Sequence, residues 1–440
     1  MNILFILPEY YPHSGGGIST YYLQYIRSLK PYCGRIKVIT GSGYIQSDEE
    51  LEKDGIEIVY LKPAIYHKYL EKFSRFELFT GFRNDLAAAW AMYEQANEGK
   101  GFDIIECADF GLGFIPWVIR HNKPVVTRFH GSTGQITRHE GDLSTPLQND
   151  FIRQTELLLL PLCDVLISHS AANQQAWKTL LAKKITHILP VFKSDTNEPV
   201  PYSERTASGV VTARIQVWKG PVQLCEALKH VNGPVLPIEW YGRDCSYENG
   251  KSMSAYLAAH YPDVWGKSVI PRVALGPDEV SKKQAHARFG LVCSAWDMFN
   301  FTCAEFLNAG TPVICSDGAG ASELIRHGEN GLIYPAYDTQ KLADCLKEMS
   351  QMDESAYSKM AAAAKATTAN ELLAGKIIPK NLAQYSVAID EFNPSAANDF
   401  LEHIYSPSDK AGSLADTLDS QPLKKLVKYL LKRAGSKMKK

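Results

Sequence analysis

Residues 290–316 read GLVCSAWDMFNFTCAEFLNAGTPVICS, and they predict a strand, a loop, a helix and a second strand in that order. The apolar runs 290–294 and 312–316 are too short for helices and are typical of buried strands. The helix between them ends near Gly310. Because strand, helix and strand in succession form the repeating unit of a parallel sheet, this stretch predicts an α/β fold.

The same alternation extends in both directions from this unit. Strand-like runs in the first half of the chain are 2–7, 35–40, 56–61, 103–106, 124–130, 164–168 and 185–191; those in the second half are 209–213, 238–242, 272–276, 290–294, 312–316 and 331–335. The polar, proline-bearing stretch 193–208 separates the two sets and is typical of a linker and hinge. We therefore expect two doubly wound parallel-sheet domains whose strand ends face a central cleft.

The expected organisation has four parts. They are an N-terminal domain over 1–195, a second domain over 196–385, a closing helix over 386–406, and a linker with a basic tail over 407–440.

Composition places the chain among soluble, intracellular proteins. Of its 440 residues, 45% are hydrophobic and 22% charged, which excludes disordered, collagen-like and disulfide-scaffold proteins. No apolar run approaches the roughly 18 residues of a membrane span. The N-terminal segment reads as a first strand rather than a signal peptide. Nine scattered cysteines favour reduced thiols, so we expect a cytoplasmic location.

The C-terminal tail differs from the rest of the chain in charge. Residues 421–440 hold eight Lys and Arg and no acid, whereas the net charge of the whole chain is −1. An apolar stripe runs through the tail at helical spacing: Leu423, Leu426, Val427, Leu430, Leu431 and Ala434. This pattern fits an anchor on an anionic membrane surface, at the inner face of the cytoplasmic membrane. It equally fits a helix docked on its own domain.

Acidic side chains and a helix start come together in residues 296–305. Asp297 lies in the predicted loop and Glu305 in the first helical turn, so both can face one pocket. The backbone N–H groups of Phe301 and Thr302 would point out of the helix and suit a phosphate. The alternative is structural, because Thr302 and Glu305 have the spacing of a capping box.

Three further patches have a functional and a structural interpretation. Arg214 and Lys219, after strand 209–213, can embrace a diphosphate or form a solvated surface pair. Gly16 and Gly17 can let the backbone approach a ligand, or belong to a plain flexible loop. His130, at the end of a strand, can bond a substrate hydroxyl or serve the core.

Several motifs are missing from the sequence. There is no Asp-x-Asp, HExxH, P-loop lysine motif or GxSxG elbow. We therefore expect neither a metal site nor a bound cofactor.

In order and spacing, the chain resembles the retaining glycosyltransferases of family 4, which have the two-domain GT-B fold. The matching segments are LPEYYPHSGGGIST (7–20), VVTRFHG (125–131), ARIQVWKG (213–220), LVCSAWDMFNFTCAEFLNAGTPVICSDGAGASELI (291–325) and GENGLIYP (328–335). They extend over most of residues 1–406.

The resemblance implies roles for individual residues. Arg214 and Lys219 stand at the diphosphate-binding positions, and Glu305 at the acid that holds the donor ribose. Asp297 stands where the family's first glutamate contacts the transferred sugar. Gly16 and Gly17 match the glycine loop beside the donor phosphates, and His130 the histidine near sugar and acceptor. Asn300, Phe301 and Thr302 complete the donor site.

Two departures accompany the match. Asp297 replaces a glutamate, which shortens the carboxylate's reach, and Asn300 stands where the family usually has glycine. Its side chain is expected to crowd the loop beside the donor. Either change could redirect or weaken activity.

The resemblance implies a retaining, metal-independent transferase that moves a sugar from a nucleotide-diphosphate sugar, commonly a UDP-sugar, to a glycan or lipid-linked acceptor in surface polysaccharide synthesis. No nucleic-acid partner is expected. Two alternatives stay open: a nucleotide-sugar epimerase on the same fold, and a non-catalytic nucleotide-sugar or glycan binder.

Overall fold

The structure, a computed structural model, describes residues 1–13, 16–140, 146–193, 198–247, 250–395, 399–409 and 414–437. The first domain is built on eight strands. They are β1 (Asn2–Leu7), β2 (Arg35–Thr40), β3 (Glu50–Lys53), β4 (Ile56–Tyr60), β5 (Ile104–Ala108), β6 (Val125–Phe129), β7 (Val165–Ser168) and β8 (Ile185–His187). Its helices are α1 (Gly17–Leu29), α2 (Pro63–Lys72), α3 (Thr80–Gln95), α4 (Ile115–Arg120), α5 (Thr133–His139), α6 (Pro146–Leu159) and α7 (Ala171–Lys178).

The second domain has six strands and six α-helices among the described residues. The strands are β9 (Gly209–Thr212), β10 (Ile238–Tyr241), β11 (Val269–Arg272), β12 (Phe289–Val292), β13 (Val313–Ser316) and β14 (Gly331–Tyr334). The helices are α8 (Pro221–His230), α9 (Met253–His260), α10 (Pro277–His286), α11 (Phe301–Asn308), α12 (Thr339–Gln351) and α13 (Glu354–Glu371). Four helices follow: α14 (Ala374–Asp390), α15 (Asp399–Tyr405), α16 (Leu414–Asp419) and α17 (Leu423–Lys437).

Both sheets are doubly wound, which confirms the predicted fold class. The first sheet has the strand order β3-β4-β2-β1-β5-β6-β7-β8, and the second β11-β10-β9-β12-β13-β14. All neighbouring strands are parallel except the β3–β4 pair. Each sheet carries an apolar core on both faces, as buried parallel strands require.

Some predicted elements differ from the structure. The run 272–276 is not a strand; β11 ends at Arg272, and Val273, 78% exposed, begins the loop into α10. The strand expected over 185–191 ends at His187, and β3 was missed. β3 is a short edge strand whose residues are mostly exposed, so it has no apolar run to reveal it.

The closing helix expected over 386–406 is instead the end of α14 and the separate helix α15. The chain returns to the first domain with α14, whose Ile377, Ile378 and Tyr385 pack into the core of the first sheet. The expected linker 407–421 contains the short helix α16. Part of each predicted linker, 194–197 and 410–413, lies outside the described residues.

A buried polar network joins α14 to the first sheet. Arg128 on β6 donates to Glu106 on β5 at 2.7 and 3.1 Å, and both side chains are fully buried. Arg128 also donates to Asn381 Oδ1 at 2.9 Å, and the Tyr385 hydroxyl donates to Glu106. The network pairs most of the buried polar atoms of Arg128 and Glu106, although Arg128 Nη1 has no partner among the described residues, and it fixes α14 against the sheet.

Candidate functional site

The two domains meet where β6 and β12 end, at the carboxyl ends of parallel strands. Trp296, after β12, stacks on the His139 ring of α5 with 4.5 Å between ring centroids and 3° between planes. A Cβ atom at Gly131, after β6, would lie 3.3 Å from the Trp296 ring. The predicted residues at both strand ends therefore lie on opposite walls of one cleft.

Lys219, Asp297 and Asn300 form the polar centre of the second-domain wall. The Lys219 Nζ donates to Asp297 Oδ2 at 2.5 Å, and Asn300 Nδ2 donates to the same oxygen at 2.9 Å. The side chains of Lys219 and Asp297 are only about 15% exposed. The predicted diphosphate-binding lysine and the predicted sugar-binding acid thus lie side by side.

A glycine turn brings Lys219 to this position. Gly220 has φ +82°, and a Cβ atom there would lie 1.9 Å from the carbonyl oxygen of Cys293 at the end of β12. Only glycine allows this close approach together with a left-handed conformation. The turn that ends in Lys219 can therefore pack directly against β12.

Asn300 begins the helix that carries the donor-site residues. It has φ +79°, which suits glycine or asparagine, and its side-chain oxygen accepts from Cys303 N at 3.2 Å. We expected this side chain to crowd the loop. In the structure it instead caps α11 and donates a hydrogen bond to Asp297. The backbone N–H groups of Phe301 and Thr302 lie in the first turn of the capped helix.

The capping-box interpretation of Thr302 and Glu305 is wrong, because Asn300 is the N-cap. Thr302 Oγ1 donates to the Thr212 carbonyl at 3.2 Å, and Glu305 Oε2 accepts from Gln284 Nε2 at 2.7 Å. Burial raises the pKa of Glu305, and the bond from Gln284 opposes that effect. Glu305 is therefore available to a ligand rather than to its own helix.

Arg214 lies in the loop between β9 and Lys219, and it is exposed. Within the described parts of the chain, its guanidinium has no hydrogen bond or ion pair. An exposed, uncommitted guanidinium at a strand end suits a charged ligand that arrives from solvent.

His130 lies on the first-domain wall against aromatic rings. Its ring centroid is 5.0 Å from that of Tyr21 and 5.1 Å from that of Tyr22. Burial, with Arg128 nearby, lowers the pKa of His130 well below its usual range, so the imidazole is neutral. Its Nε2 is buried and has no hydrogen-bond partner among the described residues, so it is an unpaired polar atom at the predicted position.

Asp109, after β5, holds the backbone of His130. Its Oδ1 accepts from His130 N at 2.8 Å. Burial raises the pKa of Asp109 to about 7, although backbone donors from His130 and Gly131 lower it in part. Asp109 therefore sets the position of the histidine through its main chain.

Gly16 and Gly17 form the start of α1, and Gly15 lies outside the described residues. Glu9 fills the space beside them: a Cβ atom at Gly16 would lie 2.1 Å from its Oε1, which also accepts from Ser19 N at 3.2 Å. Among the described residues, no atom lies within 4 Å of a Cβ placed at Gly17. The glycines thus allow a ligand to come close to the backbone, but the Glu9 carboxylate occupies part of the space beside Gly16.

Sequence reasoning missed four contributors to the cleft: Glu9, His139, His169 and Gln284. The His169 ring is fully buried 5.0 Å from that of His130, and its Nε2 has no partner within the described chain. His169 directly follows β7, as His130 directly follows β6. This shared position is the sequence signal that could have identified His169. Glu9, His139 and Gln284 carry no local pattern.

Two family models match the chain in succession. The model described as Glycosyltransferase Family 4 matches residues 15–190, and the one described as Glycosyl transferases group 1 matches residues 204–367. This protein is a GT-B glycosyltransferase of the family 4 type. The matches confirm the family and the activity class expected from the motifs. No curated protein matches the chain.

Solved glycosyltransferase structures share its fold at low sequence identity. Sucrose-phosphate synthase from Thermosynechococcus elongatus has a TM-score of 0.67 and 17% identity, over 88% of this chain and 98% of that one. Anabaena HepE, solved with UDP-glucose, has a TM-score of 0.58 and 18% identity, over 88% and 99%. Trehalose-6-phosphate synthase from E. coli, bound with UDP-2-fluoro glucose, has 0.61 and 15%, over 90% and 100%. These similarities support the GT-B fold of this glycosyltransferase.

Proposed function

We propose that this glycosyltransferase moves a sugar from a UDP-sugar to a hydroxyl of a glycan or lipid-linked acceptor, with retention of configuration and without a bound metal. The observation that carries the proposal is the Lys219–Asp297–Asn300 cluster, with 2.5 and 2.9 Å between its polar atoms, in the loop whose Trp296 stacks on His139 of the first domain. The proposed reaction belongs to the assembly of surface polysaccharide.

The cationic side of the cluster suits the leaving nucleoside diphosphate. As the bond to the sugar breaks, negative charge develops on the phosphate oxygens. Lys219, the uncommitted Arg214 and the amino terminus of α11 supply positive potential there, which is the electrostatic form of catalysis. When the donor binds, Lys219 is shared between the phosphate and Asp297.

The donor sugar would lie between Asp297 and His130. Asp297 Oδ2 is already paired, so its second oxygen is the one that can accept from a sugar hydroxyl. The neutral imidazole of His130 can bond a hydroxyl without adding charge beside the departing phosphate. In this arrangement the bond between the anomeric carbon and the diphosphate breaks, and the departing diphosphate takes the proton of the acceptor hydroxyl. The acceptor oxygen bonds to the anomeric carbon on the face that the diphosphate leaves, which gives retention.

The choice of uridine rests on relatives of the same fold. HepE is solved with UDP and UDP-glucose, and the trehalose-6-phosphate synthase with UDP-2-fluoro glucose. We extend that donor class to this chain. Glu305, free of its own helix terminus, is the proposed partner of the ribose hydroxyls.

We also propose a cytoplasmic site of action. All nine cysteines are free, and seven of them are buried. Among the described residues, no helix is both long and apolar enough to cross a membrane.

The test is hydrolysis of UDP-glucose in the presence of EDTA, followed by proton NMR of the released sugar. Retention predicts that α-glucose appears before the anomers equilibrate, and Arg214→Ala should slow its release by about a hundredfold. A matched control is Lys229→Ala, which removes an exposed cation on α8.

Three results would contradict the proposal. Release of β-glucose first would exclude retention, and loss of all activity in EDTA would exclude a metal-free reaction. Conversion of UDP-glucose to another UDP-sugar, with no sugar released, would favour the epimerase alternative.

A further inference from the structure

Helix α17 presents an apolar face that the described residues of the protein leave exposed. Leu423 is 74% exposed, Leu430 61% and Leu431 69%, and Tyr429 beside them is 58% exposed. Large apolar side chains at this exposure normally occur singly on a soluble surface. Here they share one helix, so the alternative of a helix docked on its own domain is not what the structure shows for these residues.

Cations border this face on both sides. At about 100° per residue, the apolar positions of α17 occupy an arc of about 140°, with Lys424 at one border and Arg433 at the other. Lys428 and Lys432 lie on the opposite face. No acidic residue occurs between 423 and 437. The helix is therefore both amphipathic and uniformly positive.

We propose that α17 docks on an anionic lipid bilayer, with its apolar stripe in the interface and its cations at the headgroups. Charge complementarity selects this partner. A second copy of the same helix would bring two sets of cations together with no acid from either to offset them. A lipid surface offers both the apolar phase and the negative charge.

The tail follows a segment tied to the first domain. Arg75 donates to the carbonyls of Ile404 and Ser406 at 2.8 and 2.7 Å, and Trp90 Nε1 donates to the Tyr405 carbonyl at 2.8 Å. An anchor at α17 therefore tethers the protein through that domain. The inference rests on α17 alone and does not depend on the proposed reaction.

The experiment is co-sedimentation of the full chain with phosphatidylcholine vesicles, with and without phosphatidylglycerol. We expect binding only to the anionic vesicles, weakened by salt. The triple variant Val427→Ser, Leu430→Ser, Leu431→Ser should lower vesicle affinity at least about tenfold, because it removes the apolar stripe. The variant Lys424→Gln, Lys428→Gln, Lys432→Gln should also lower it about tenfold or more.

The matched control is Lys424→Arg, Lys428→Arg, Lys432→Arg, which keeps the charge and should keep the binding. A melting temperature equal to that of the wild type in all variants shows that the body of each is intact. Equal sedimentation with neutral and anionic vesicles, or binding unchanged by the triple serine variant, would overturn the proposal. Self-association of the wild type that the serine variant abolishes, without vesicle binding, would assign the face to a second copy instead.

Discussion

Asn300 combines a left-handed backbone, a helix cap and a contact to Asp297 in one residue. Its φ of +79° is a conformation that glycine also adopts readily, and its amide adds bonds that glycine lacks. The sequence departure at this site is thus compatible with the local fold. Asp297 keeps its place through Lys219 and Asn300 despite its shorter side chain.

Substitutions at Asn300 should separate these effects. Asn300→Gly removes the cap but accepts the backbone, so unfolding free energy should fall by only a few tenths of a kcal/mol. Asn300→Ala removes the cap and strains the backbone, so the loss should be about 2 kcal/mol. Urea denaturation measures both. An alanine variant as stable as the glycine variant would contradict this account of the turn.

Asp85 on α3 is a largely buried carboxyl with no hydrogen bond to any other described residue, and burial raises its pKa to about 7. In the unfolded chain its pKa is about 3.9. Between pH values of about 3.9 and about 7, the folded state binds more protons at Asp85 than the unfolded state does. The free energy of unfolding therefore falls as the pH rises through this range. Asp85→Asn should therefore be more stable than wild type at pH 8, with the difference shrinking towards pH 5.

Thermal unfolding across this pH range checks the Asp85 prediction, at about 1.4 kcal/mol per unit of pKa shift. Asp263→Asn is the matched control, because its carboxyl is exposed and ion-paired with Lys267. A difference between Asp85→Asn and wild type that is independent of pH would exclude titration of Asp85 as its cause.

At the scale of elements, α14 depends on buried charge rather than on apolar packing alone. Glu106→Gln would leave Arg128 as an uncompensated buried cation and weaken the bond from Tyr385. We expect a loss of about 3–5 kcal/mol in unfolding free energy. The control is Glu57→Gln, in the exposed pair with Arg35, where about 0–1 kcal/mol is expected. Equal losses in urea denaturation would contradict the role of the network.

Most elements could be predicted because buried parallel strands are short apolar runs between turns. That signal located the ends of β6, β12 and β13 to within two residues, and with them the positions of His130 and Asp297. It failed at residues 272–276, where an apolar loop imitates a strand, and at the mostly exposed β3. The Glu305–Gln284 and His139–Trp296 contacts join distant segments, so no local pattern could indicate them.

At the scale of the whole molecule, contacts across the cleft hold the two domains together. Ser170 Oγ on the first domain donates to the Met298 carbonyl at 2.6 Å, and His187 pairs with Glu323 at 3.2 Å. Trp296 adds the stack on His139. Trp296 and Met298 flank Asp297 in the chain, so two of these contacts border the Lys219–Asp297 pair, whose side chains are only about 15% exposed.

Trp296 should therefore affect turnover more than nucleotide affinity. Trp296→Ala removes the stack, and we expect UDP-glucose hydrolysis to slow by about ten- to a hundredfold, because the walls no longer hold their relative positions. Trp296→Phe keeps an aromatic ring and should lose less. Steady-state kinetics with parallel UDP titrations would show this split. An alanine variant with unchanged kcat would contradict it.

The central claim, a UDP-sugar site at Arg214 and Lys219, is tested most directly by thermal stability in the presence of UDP, GDP, ADP or NAD, with EDTA throughout. A ligand that binds the native state raises its melting temperature by mass action. We predict a rise with UDP that is lost in Arg214→Ala and kept in Lys229→Ala. A rise with NAD alone, or with no nucleotide, would contradict the claim.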